Sequence, residues 1–369
     1  MTKKRILVAL ETLNIGGTER HISTVMSSLA PAFDIYIWAR EGDTKLVEQL
    51  RMSGVTVHLH NRASALGMCF SFFIKLFMLQ PHIVHFFLPR PYLLGGTLSL
   101  LMPRVKRIMS RRSMNAYQSK YPSFVKTWEY WLHRRMDRIL GNSQAVVDQL
   151  VKEEGAPIER TFLIYNGLNR RLESREYERA SVRQEFGLTE IQCVMIVVAN
   201  LIPYKGHQDL FVALSHLKTS HDWHLLVVGH DTAQMQNVLS ELARQHAFEQ
   251  RVTFTCCRHD AYRLMNGADI GLLVSHEEGF SNAILEGMVS GLPMIVTDVG
   301  GNAEAVQHGE SGLVVPPQNP HEISAALNFL INDVDKRREF GISAKRRIEN
   351  LFSLDNCVRA YSDLYNQID

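Results

Sequence analysis

The sequence predicts an α/β protein built from two doubly wound parallel sheets, one in each half of the chain. Short apolar runs alternate with helical patterns, which is typical of βαβ units. The alternation weakens in the polar segment 166–188 and then restarts. The length of 369 residues also exceeds what one ordinary core requires, since domains usually contain about 100–200 residues. We therefore expect two Rossmann-like domains.

The strand-like runs are continuous and apolar, as expected for strands buried on both faces of a sheet. In the first half they cover residues 5–10, 34–39, 55–59, 83–87, 107–110 and 138–142. In the second half they cover residues 193–200, 223–229, 252–255, 270–275, 294–297 and 314–315. Helical patterns fill the gaps, notably at 19–30, 64–79 and 122–136.

The domain boundary is predicted between residues 172 and 173. Residues 1–172 then form the N-terminal domain, and residues 173–352 form the C-terminal domain. A last helix, at about 353–369, has no strand after it and is expected to cross back onto the first domain. Open parallel sheets bind ligands at the carboxyl ends of their strands. With two such domains, we expect the site in the cleft between them.

The net charge of +2 conceals an asymmetry between the halves. Residues 1–172 carry 24 Lys and Arg against 12 Asp and Glu, whereas residues 173–369 carry 16 against 26. The basic half favours an anionic partner such as phospholipid, a phosphorylated carrier or nucleic acid. Drift of surface charge between two domains is the alternative interpretation.

Cysteine and histidine spacing indicates neither a disulfide framework nor a metal site. The five cysteines include no Cys-x-x-Cys pair, and the adjacent Cys256 and Cys257 cannot easily bridge each other. This pattern is typical of reduced, buried thiols in a cytoplasmic protein. We accordingly expect no metal and no bound cofactor.

The most apolar stretch, 66–79, is interrupted by Lys75 and is shorter than the roughly 20 residues of a spanning helix. The apolar run after Lys3-Lys4-Arg5 is too short for a signal peptide. We therefore expect a cytoplasmic protein that does not cross a membrane. Segment 66–79 is either an ordinary packed helix or a surface that rests on the inner face of the membrane.

Paired glycines follow the first strand and precede a helix. Gly16 and Gly17 allow the backbone to approach a phosphate or a sugar closely, with helix N–H groups facing it. A tight turn alone would also explain the pair. The segment lacks the Gly-x-Gly-x-x-Gly pattern of dinucleotide-binding folds, which argues against an NAD-dependent oxidoreductase.

The first strand of the second half ends at Asn200 and is followed by Lys205, which precedes a helix. A cation at this place would meet a diphosphate bound at the carboxyl end of the sheet. An ordinary solvated loop lysine is the alternative. The location of Lys205 favours the functional interpretation.

The segment from Ser275 to Met288 has the richest chemistry. Glu278 lies on the loop after a strand, Ser281 or Asn282 can cap the following helix, and Glu286 lies about one turn into that helix. The helix N–H groups would form an anion site between two carboxylates, which can accept hydrogen bonds from sugar hydroxyls. A capped helix with two surface acids fits the same spacing.

Together these segments resemble glycosyltransferase family 4, retaining enzymes of the GT-B fold, in which two Rossmann-like domains face each other across a cleft. The resemblance covers nearly the whole chain and is strongest from Val194 to Pro317. The Glu-x7-Glu signature of the family corresponds to Glu278 and Glu286. The segments 165–167, 203–207, 291–293 and 297–304 also fit the family.

The resemblance implies a donor-binding C-terminal domain and an acceptor-side N-terminal domain. Glu286 would bind the donor ribose, and Glu278 would contact the donor sugar near the backbone N–H groups of Phe280–Asn282. Lys205 would neutralise the donor diphosphate. Gly16-Gly17 would close over the phosphate and face the acceptor.

Two positions depart from the family pattern. Family members usually carry Arg at the position of Asn200, and the loss of that charge weakens the expected grip on a diphosphate. Some members place a His after the fifth strand, where this chain reads Ser110-Arg111-Arg112-Ser113. Arg111 or Arg112 would then meet the donor diphosphate or an anionic acceptor.

The implied reaction is metal-independent transfer of a sugar from a nucleoside diphosphate sugar, with a UDP-sugar favoured, to a hydroxyl group with retention. Lys205, helix N–H groups and Arg111 would stabilise the leaving diphosphate. The basic first half favours a lipid-linked or cell-surface glycan precursor as the acceptor, and nucleic acid is not expected as a partner. A sugar-nucleotide epimerase and a non-catalytic scaffold of a glycan-assembly complex are the alternatives.

Overall fold

The computed structural model describes residues 3–14, 16–61, 64–87, 89–169, 175–256 and 258–368, without the side chains of 175–177. These residues form two compact units. The first contains the described residues of 1–167 and 354–369, and the second contains those of 168–353. The predicted boundary between residues 172 and 173 lies outside the described residues, as does Cys257.

The described part of the first unit contains a seven-stranded sheet whose strands all run parallel. The strands are β1 (Arg5–Ala9), β2 (Asp34–Ala39), β3 (Thr56–Leu59), β4 (Ile83–Phe87), β5 (Lys106–Arg111), β6 (Arg138–Gly141) and β7 (Thr161–Leu163). Their order is β3-β2-β1-β4-β5-β6-β7. The sequence predicted six of them, and it missed β7 because three residues give too little pattern.

Helices cover both faces of this sheet. They are α1 (Gly17–Leu29), α2 (Thr44–Met52), α3 (Ala65–Leu79), α4 (Pro89–Ser99), α5 (Ser123–His133), α6 (Gln144–Lys152) and, from the end of the chain, the C-terminal helix (Leu354–Gln367). Apolar side chains of α1, α2 and the C-terminal helix fill one core. Those of α3 to α6 fill the other.

The second unit repeats this architecture with a six-stranded parallel sheet in its described part. The strands are β8 (Cys193–Val198), β9 (Trp223–Val228), β10 (Val252–Phe254), β11 (Ile270–Leu273), β12 (Met294–Thr297) and β13 (Gly312–Val315), in the order β10-β9-β8-β11-β12-β13. The helices are α7 (Arg175–Glu185), α8 (His207–Ser215), α9 (Met235–Gln245), α10 (Ala261–Gly267), α11 (Asn282–Val289), α12 (Asn302–Ala305), α13 (Pro320–Asn332) and α14 (Val334–Leu351), so that the C-terminal helix is α15.

The strand order reverses direction once in each sheet, between β1 and β4 and between β8 and β11. Connections from the two strands at such a point leave toward opposite faces of the sheet. A crevice therefore opens at the carboxyl ends of those strands, which is where doubly wound sheets bind ligands. In the second unit, the loops after β8 and β11 contain the two richest predicted motifs.

The structure confirms only part of what the sequence predicted for the cysteines and for the apolar segment 66–79. Cys193 and Cys357 are buried as predicted, whereas Cys256 is exposed and Cys69 is half-buried, and all four are free. Helix α3 is apolar apart from Ser71 and Lys75, but it packs only one face into the core. Within the described ranges, no helix has both the length and the apolar character needed to span a membrane.

Candidate functional site

Lys205 and Glu278 meet at the switch point of the second sheet. Lys205 lies on a short 3-10 turn after β8, and Glu278 lies on the loop after β11, the neighbouring strand. The Nζ atom of Lys205 is 2.5 Å from Oε1 of Glu278, and the hydroxyl of Ser275 donates to the same oxygen at 2.8 Å. Both side chains are mostly buried. The structure therefore brings together two residues that are 73 positions apart in the chain.

Close backbone contacts hold the turn that carries Lys205 against the loop that carries Glu278. Gly206, next to Lys205, has a φ of 72°, and a Cβ atom there would overlap the carbonyl oxygen of Val274. Beside it, the N–H of His276 donates to the carbonyl of Tyr204 at 2.7 Å. Only a residue without a side chain permits this approach without strain. The turn that carries Lys205 is thus fixed against the loop that carries Glu278.

A second glycine turn supports the loop from its other side. Gly300 has a φ of 51°, and a Cβ atom there would overlap the carbonyl oxygen of Glu278. The N–H of Gly301 donates to the carbonyl of Gly279 at 2.8 Å. The loops after β8, β11 and β12, which are neighbours in the sheet, are therefore held together by close backbone contacts.

Helix α11 begins directly after this loop. Ser281 occupies the N-cap position, but its side chain makes no capping hydrogen bond, contrary to the prediction that Ser281 or Asn282 caps the helix. Asn282 is the first helical residue, and Glu286 lies one turn further on, half-buried. Phe280 is buried against Phe352, with ring centroids 5.3 Å apart. A helix start without a side-chain cap offers N–H groups to an anion.

Asn200 is exposed at the end of β8, and its side-chain oxygen accepts a hydrogen bond from the backbone N–H of His230 at 3.3 Å. Its contact is thus with the loop that follows β9. An amide supplies no positive charge, so Lys205 is the cation that the structure places beside Glu278.

In the first unit, Gly16 and Gly17 form the start of α1 as predicted. Gly16 is the N-cap residue with an extended backbone, and Gly17 begins the helix. Ile15, from the same motif, lies outside the described residues. The carboxylate of Glu19 folds back so close to Gly16 that a Cβ atom there would overlap it. Burial raises the pKa of Glu19, while the hydrogen bond from its own backbone and the charge of Arg112 act in the opposite direction.

Arg111 has a different environment from the predicted one. Its guanidinium donates to Glu154 at 2.9 Å through two nitrogens and to Glu129 at 2.8 Å, and all three side chains are buried. Burial would raise the pKa of Glu154, but the hydrogen bond from His133 and the charge of Arg111 outweigh it and lower the pKa to about 2. Arg111 is therefore engaged by two buried carboxylates, and its predicted role at a diphosphate stays a prediction.

Glu129, His133 and Glu154 also lie close enough together to resemble a metal site, with ligand atoms within 4.8 Å of one another. Each of these groups has other partners. Tyr117 donates to Glu129 at 2.5 Å, and the Tyr92 hydroxyl lies 2.8 Å from Nδ1 of His133. Because the guanidinium of Arg111 donates to both carboxylates, we interpret the cluster as a buried ion-pair and hydrogen-bond network.

Arg112, which directly follows β5, is half-buried. Its charge acts on Glu19 and His21 of α1 and on Cys357 and Tyr361 of α15. Together with Thr18 and Arg111, it lines a cavity of about 90 Å³. The sequence indicated Arg112 only as the alternative to Arg111, and it gave no sign of Glu19 or Tyr361 at this place. No local motif marks Tyr361, because it reaches this place through the fold of α15.

Two family models match the chain. The one described as Glycosyltransferase Family 4 matches residues 15–172, and the one described as Glycosyl transferases group 1 matches residues 178–347. The chain therefore belongs to the group 1 glycosyltransferases of family 4. This confirms the family that the sequence motifs indicated.

Curated relatives match in part. N-acetyl-alpha-D-glucosaminyl L-malate synthase of Bacillus anthracis is 27% identical over 205 residues, which are 56% of this chain and 53% of that protein. D-inositol 3-phosphate glycosyltransferase of Nocardia farcinica is 29% identical over 216 residues, which are 56% of this chain and 48% of that protein. The chain thus spans about half the length of these relatives.

Solved structures match over the full length. A glycosyltransferase from Rickettsia africae has a TM-score of 0.86 at 20% identity, covering 100% of this chain and 99% of that chain. Anabaena HepE in complex with UDP-glucose has a TM-score of 0.86 at 20% identity, covering 98% and 99%. At this identity the likeness shows the fold, and the predicted GT-B fold class is confirmed.

Proposed function

We propose that this protein is a retaining glycosyltransferase that moves a sugar from a nucleoside diphosphate sugar, most favourably a UDP-sugar, to a hydroxyl acceptor. The observation that carries the proposal is the meeting of Lys205 and Glu278 at the switch point of the second sheet, directly before the helix that holds Glu286. Family membership supports the reaction class. The similar fold of HepE, which was solved with UDP-glucose, supports the donor.

Lys205, Glu278 and Glu286 each bind a different part of the nucleoside diphosphate sugar. Lys205 attracts the diphosphate, and Glu278 accepts hydrogen bonds from sugar hydroxyls. Their 2.5 Å separation means that a ligand reaching one side chain also reaches the other. Glu286 accepts hydrogen bonds from the ribose hydroxyls. The backbone N–H groups of Phe280–Asn282 complete the anion site at the start of α11.

The reaction breaks the bond between the anomeric carbon and the diphosphate oxygen, and it forms a bond from that carbon to the acceptor oxygen on the same face. The departing phosphate takes the proton of the acceptor hydroxyl. Lys205 and the N–H groups of α11 stabilise the charge that develops on the leaving group, so the proposal requires no metal. The protein contributes positioning and electrostatic stabilisation.

The proposed acceptor is a lipid-linked or cell-surface glycan precursor, used in the cytoplasm at the inner face of the membrane. The excess of positive charge in residues 1–172 supports an anionic acceptor. The two curated relatives are named for L-malate and for inositol 3-phosphate, which are also anionic. In place of Arg111, we assign the acceptor-side charge to Arg112, at the cavity near the start of α1.

A panel of UDP-, GDP- and ADP-sugars, each with and without acceptor extracts, tests the proposal. We expect acceptor-dependent release of one nucleoside diphosphate. Lys205→Ala and Glu286→Ala should each lose most of this activity, by a factor of about 10²–10³, while circular dichroism shows a folded protein. The exposed Lys218→Ala and Glu249→Ala in the same unit are matched controls that should retain full activity.

Three results would contradict the proposal. Full activity in both Lys205→Ala and Glu286→Ala would show that the site is elsewhere. Conversion of a donor without any acceptor would indicate an epimerase. Lack of turnover with every donor, with a folded protein and a complete acceptor extract, would favour a non-catalytic scaffold.

A further inference from the structure

Helix α3 exposes a continuous apolar face although its opposite face is already packed. Met68, Phe72 and Leu76 lie in the core. Leu66, Phe70 and Phe77 are 84%, 58% and 64% exposed. Phe73 and Ile74 are also exposed, and all five positions fall within one side of a helix with 3.6 residues per turn. Soluble monomers rarely expose large contiguous apolar patches, so this face indicates a surface that something covers.

A cavity of about 480 Å³ adjoins this face. Its aromatic floor includes Trp38, whose ring stacks on His60 at 4.4 Å. Arg51 and Lys75 line its rim together with Phe70 and Ile74 of the exposed face of α3. We call this cavity the basic groove. An apolar wall next to cationic groups suits a ligand with an anionic head and an apolar body.

The positive charge of the basic groove is not balanced locally. In the part of the chain that the structure describes, neither Arg51 nor Lys75 has an ion-pair partner. Burial lowers the pKa of His58, and the charges of Lys75 and Arg51 lower it further. An unbalanced positive potential of this kind attracts anions.

The sequence around the groove extends this potential. Residues 49–128 contain no Asp or Glu at all, but they contain 11 Lys and Arg. This run includes α3 and most of the basic groove. Such a run disfavours a basic or neutral partner and favours a surface that is anionic throughout.

We propose that the basic groove binds the phosphate headgroup of an anionic phospholipid while the exposed face of α3 enters the edge of the acyl layer. Helix α3 has 15 residues, which is too short to span a bilayer but suits a helix that lies in the interface. Headgroup binding in the groove sets the orientation and depth of α3 in the bilayer. Burial of the apolar face supplies most of the binding free energy. This site is separate from Lys205, Glu278 and Glu286, so docking does not depend on the proposed transfer reaction.

Vesicle flotation without any nucleotide sugar tests docking on its own. We expect the full chain to float with phosphatidylcholine vesicles that contain phosphatidylglycerol, and much less with phosphatidylcholine alone. The double change Phe70→Ser/Phe77→Ser should weaken binding by about tenfold or more, because it removes the deepest apolar contacts. The double change Arg51→Glu/Lys75→Glu should weaken binding to anionic vesicles by about fivefold or more per position, because each positive charge is replaced by a negative one.

The controls separate docking from folding and from activity. All four changed residues have side chains at the surface or the rim of the groove, so melting temperatures should stay close to that of the unchanged protein. Ile191→Ser, an exposed isoleucine of the second unit, is the matched apolar control and should float normally. Lys205→Ala should also float normally, which shows that loss of transfer and loss of docking are independent.

Three outcomes would overturn the proposal. The first is failure of the unchanged protein to float with anionic vesicles at low salt. The second is equal flotation of the unchanged protein and the Phe70→Ser/Phe77→Ser variant. The third is a dimer in light scattering that the serine changes convert to a monomer without any flotation, which would show that a second copy of this chain covers the face.

Discussion

The two sheets have the same strand order around their switch points, but the carboxyl edges of the two units use charge in opposite ways. In the second unit, Lys205 and Glu278 pair on loops that close backbone contacts hold at the sheet edge. In the first unit, Arg111 is buried with Glu129 and Glu154, and Arg112 is left half-buried beside α1. A shared topology thus determines where charged residues can gather, whereas burial determines whether a charge is enclosed in the fold or stays accessible at the sheet edge.

The sharpest test of this comparison changes the two adjacent arginines. Arg111→Leu should lower the free energy of unfolding by about 3–5 kcal/mol, because it leaves Glu129 and Glu154 buried without their cation. Arg112→Leu should change stability by less than about 1 kcal/mol and should mainly raise the KM for an anionic acceptor. Urea unfolding and acceptor titration measure the two effects. The contrast fails if Arg111→Leu is as stable as the unchanged protein.

The rigidity of the loops that carry Lys205 and Glu278 can be tested at Gly206 and Gly300. Alanine at either place should reduce transfer by about 10²-fold, since its Cβ would push apart the loops that position Lys205 and Glu278. Initial rates with saturating acceptor measure this effect.

The matched controls are Gly187→Ala and Gly309→Ala. Both glycines also have positive φ, at 64° and 77°, but nothing lies within 4 Å of an added Cβ. These variants should show only the backbone strain of about 1 kcal/mol in unfolding, with an unchanged rate. Equal loss of activity at all four positions would mean that strain, and not loop contact, is responsible.

A smaller effect concerns His207, which follows Gly206 and is buried with no hydrogen-bond partner for its ring nitrogens among the described residues. Burial, and then the charge of Lys205, lower its pKa from 6.5 to about 4. Between these values the unfolded chain binds a proton that the folded chain does not, so stability falls as the pH drops below 6.5. This histidine should make the protein about 2 kcal/mol less stable at pH 5 than at pH 7.5.

Denaturant unfolding at the two pH values measures this contribution. His207→Gln should reduce the acid-induced loss by that amount, whereas the exposed His246→Gln should leave it unchanged. Buried His21, His85 and His133 of the first unit also have lowered pKa values, so part of the loss should persist in both variants. An identical loss in the His207→Gln variant would exclude a contribution from His207.

The smallest expected effect is at Asn200. Asn200→Arg would restore a second cation on the loops around Lys205, and we expect about fivefold tighter binding of UDP. Asn200→Gln, which keeps the amide, should bind as the unchanged protein does. Titration calorimetry compares the three, and weaker binding by the arginine variant would show that the contact with His230 matters more than charge.

Much of this architecture was predictable because the signals are local. Twelve strand-like runs correspond to observed strands, since each strand is buried on both faces and is therefore apolar along its length. The residues of the candidate site could also be identified from the sequence, because Lys205 and Glu278 lie on loops that follow strands and Glu286 completes the Glu-x7-Glu signature inside α11. β7 was missed because it has only three residues.

The sequence by itself determined the α/β class, the family and the place of the motifs around Lys205 and Glu278, because apolar runs, glycine turns and signature spacings are encoded over short stretches of chain. Only the tertiary structure decided that Lys205 pairs with Glu278, that Arg111 pairs with Glu129 and Glu154, and that Leu66, Phe70 and Phe77 of α3 are exposed. Those outcomes depend on residues brought together from distant elements. Burial and charge compensation are properties of the packed molecule, and no local pattern contains them.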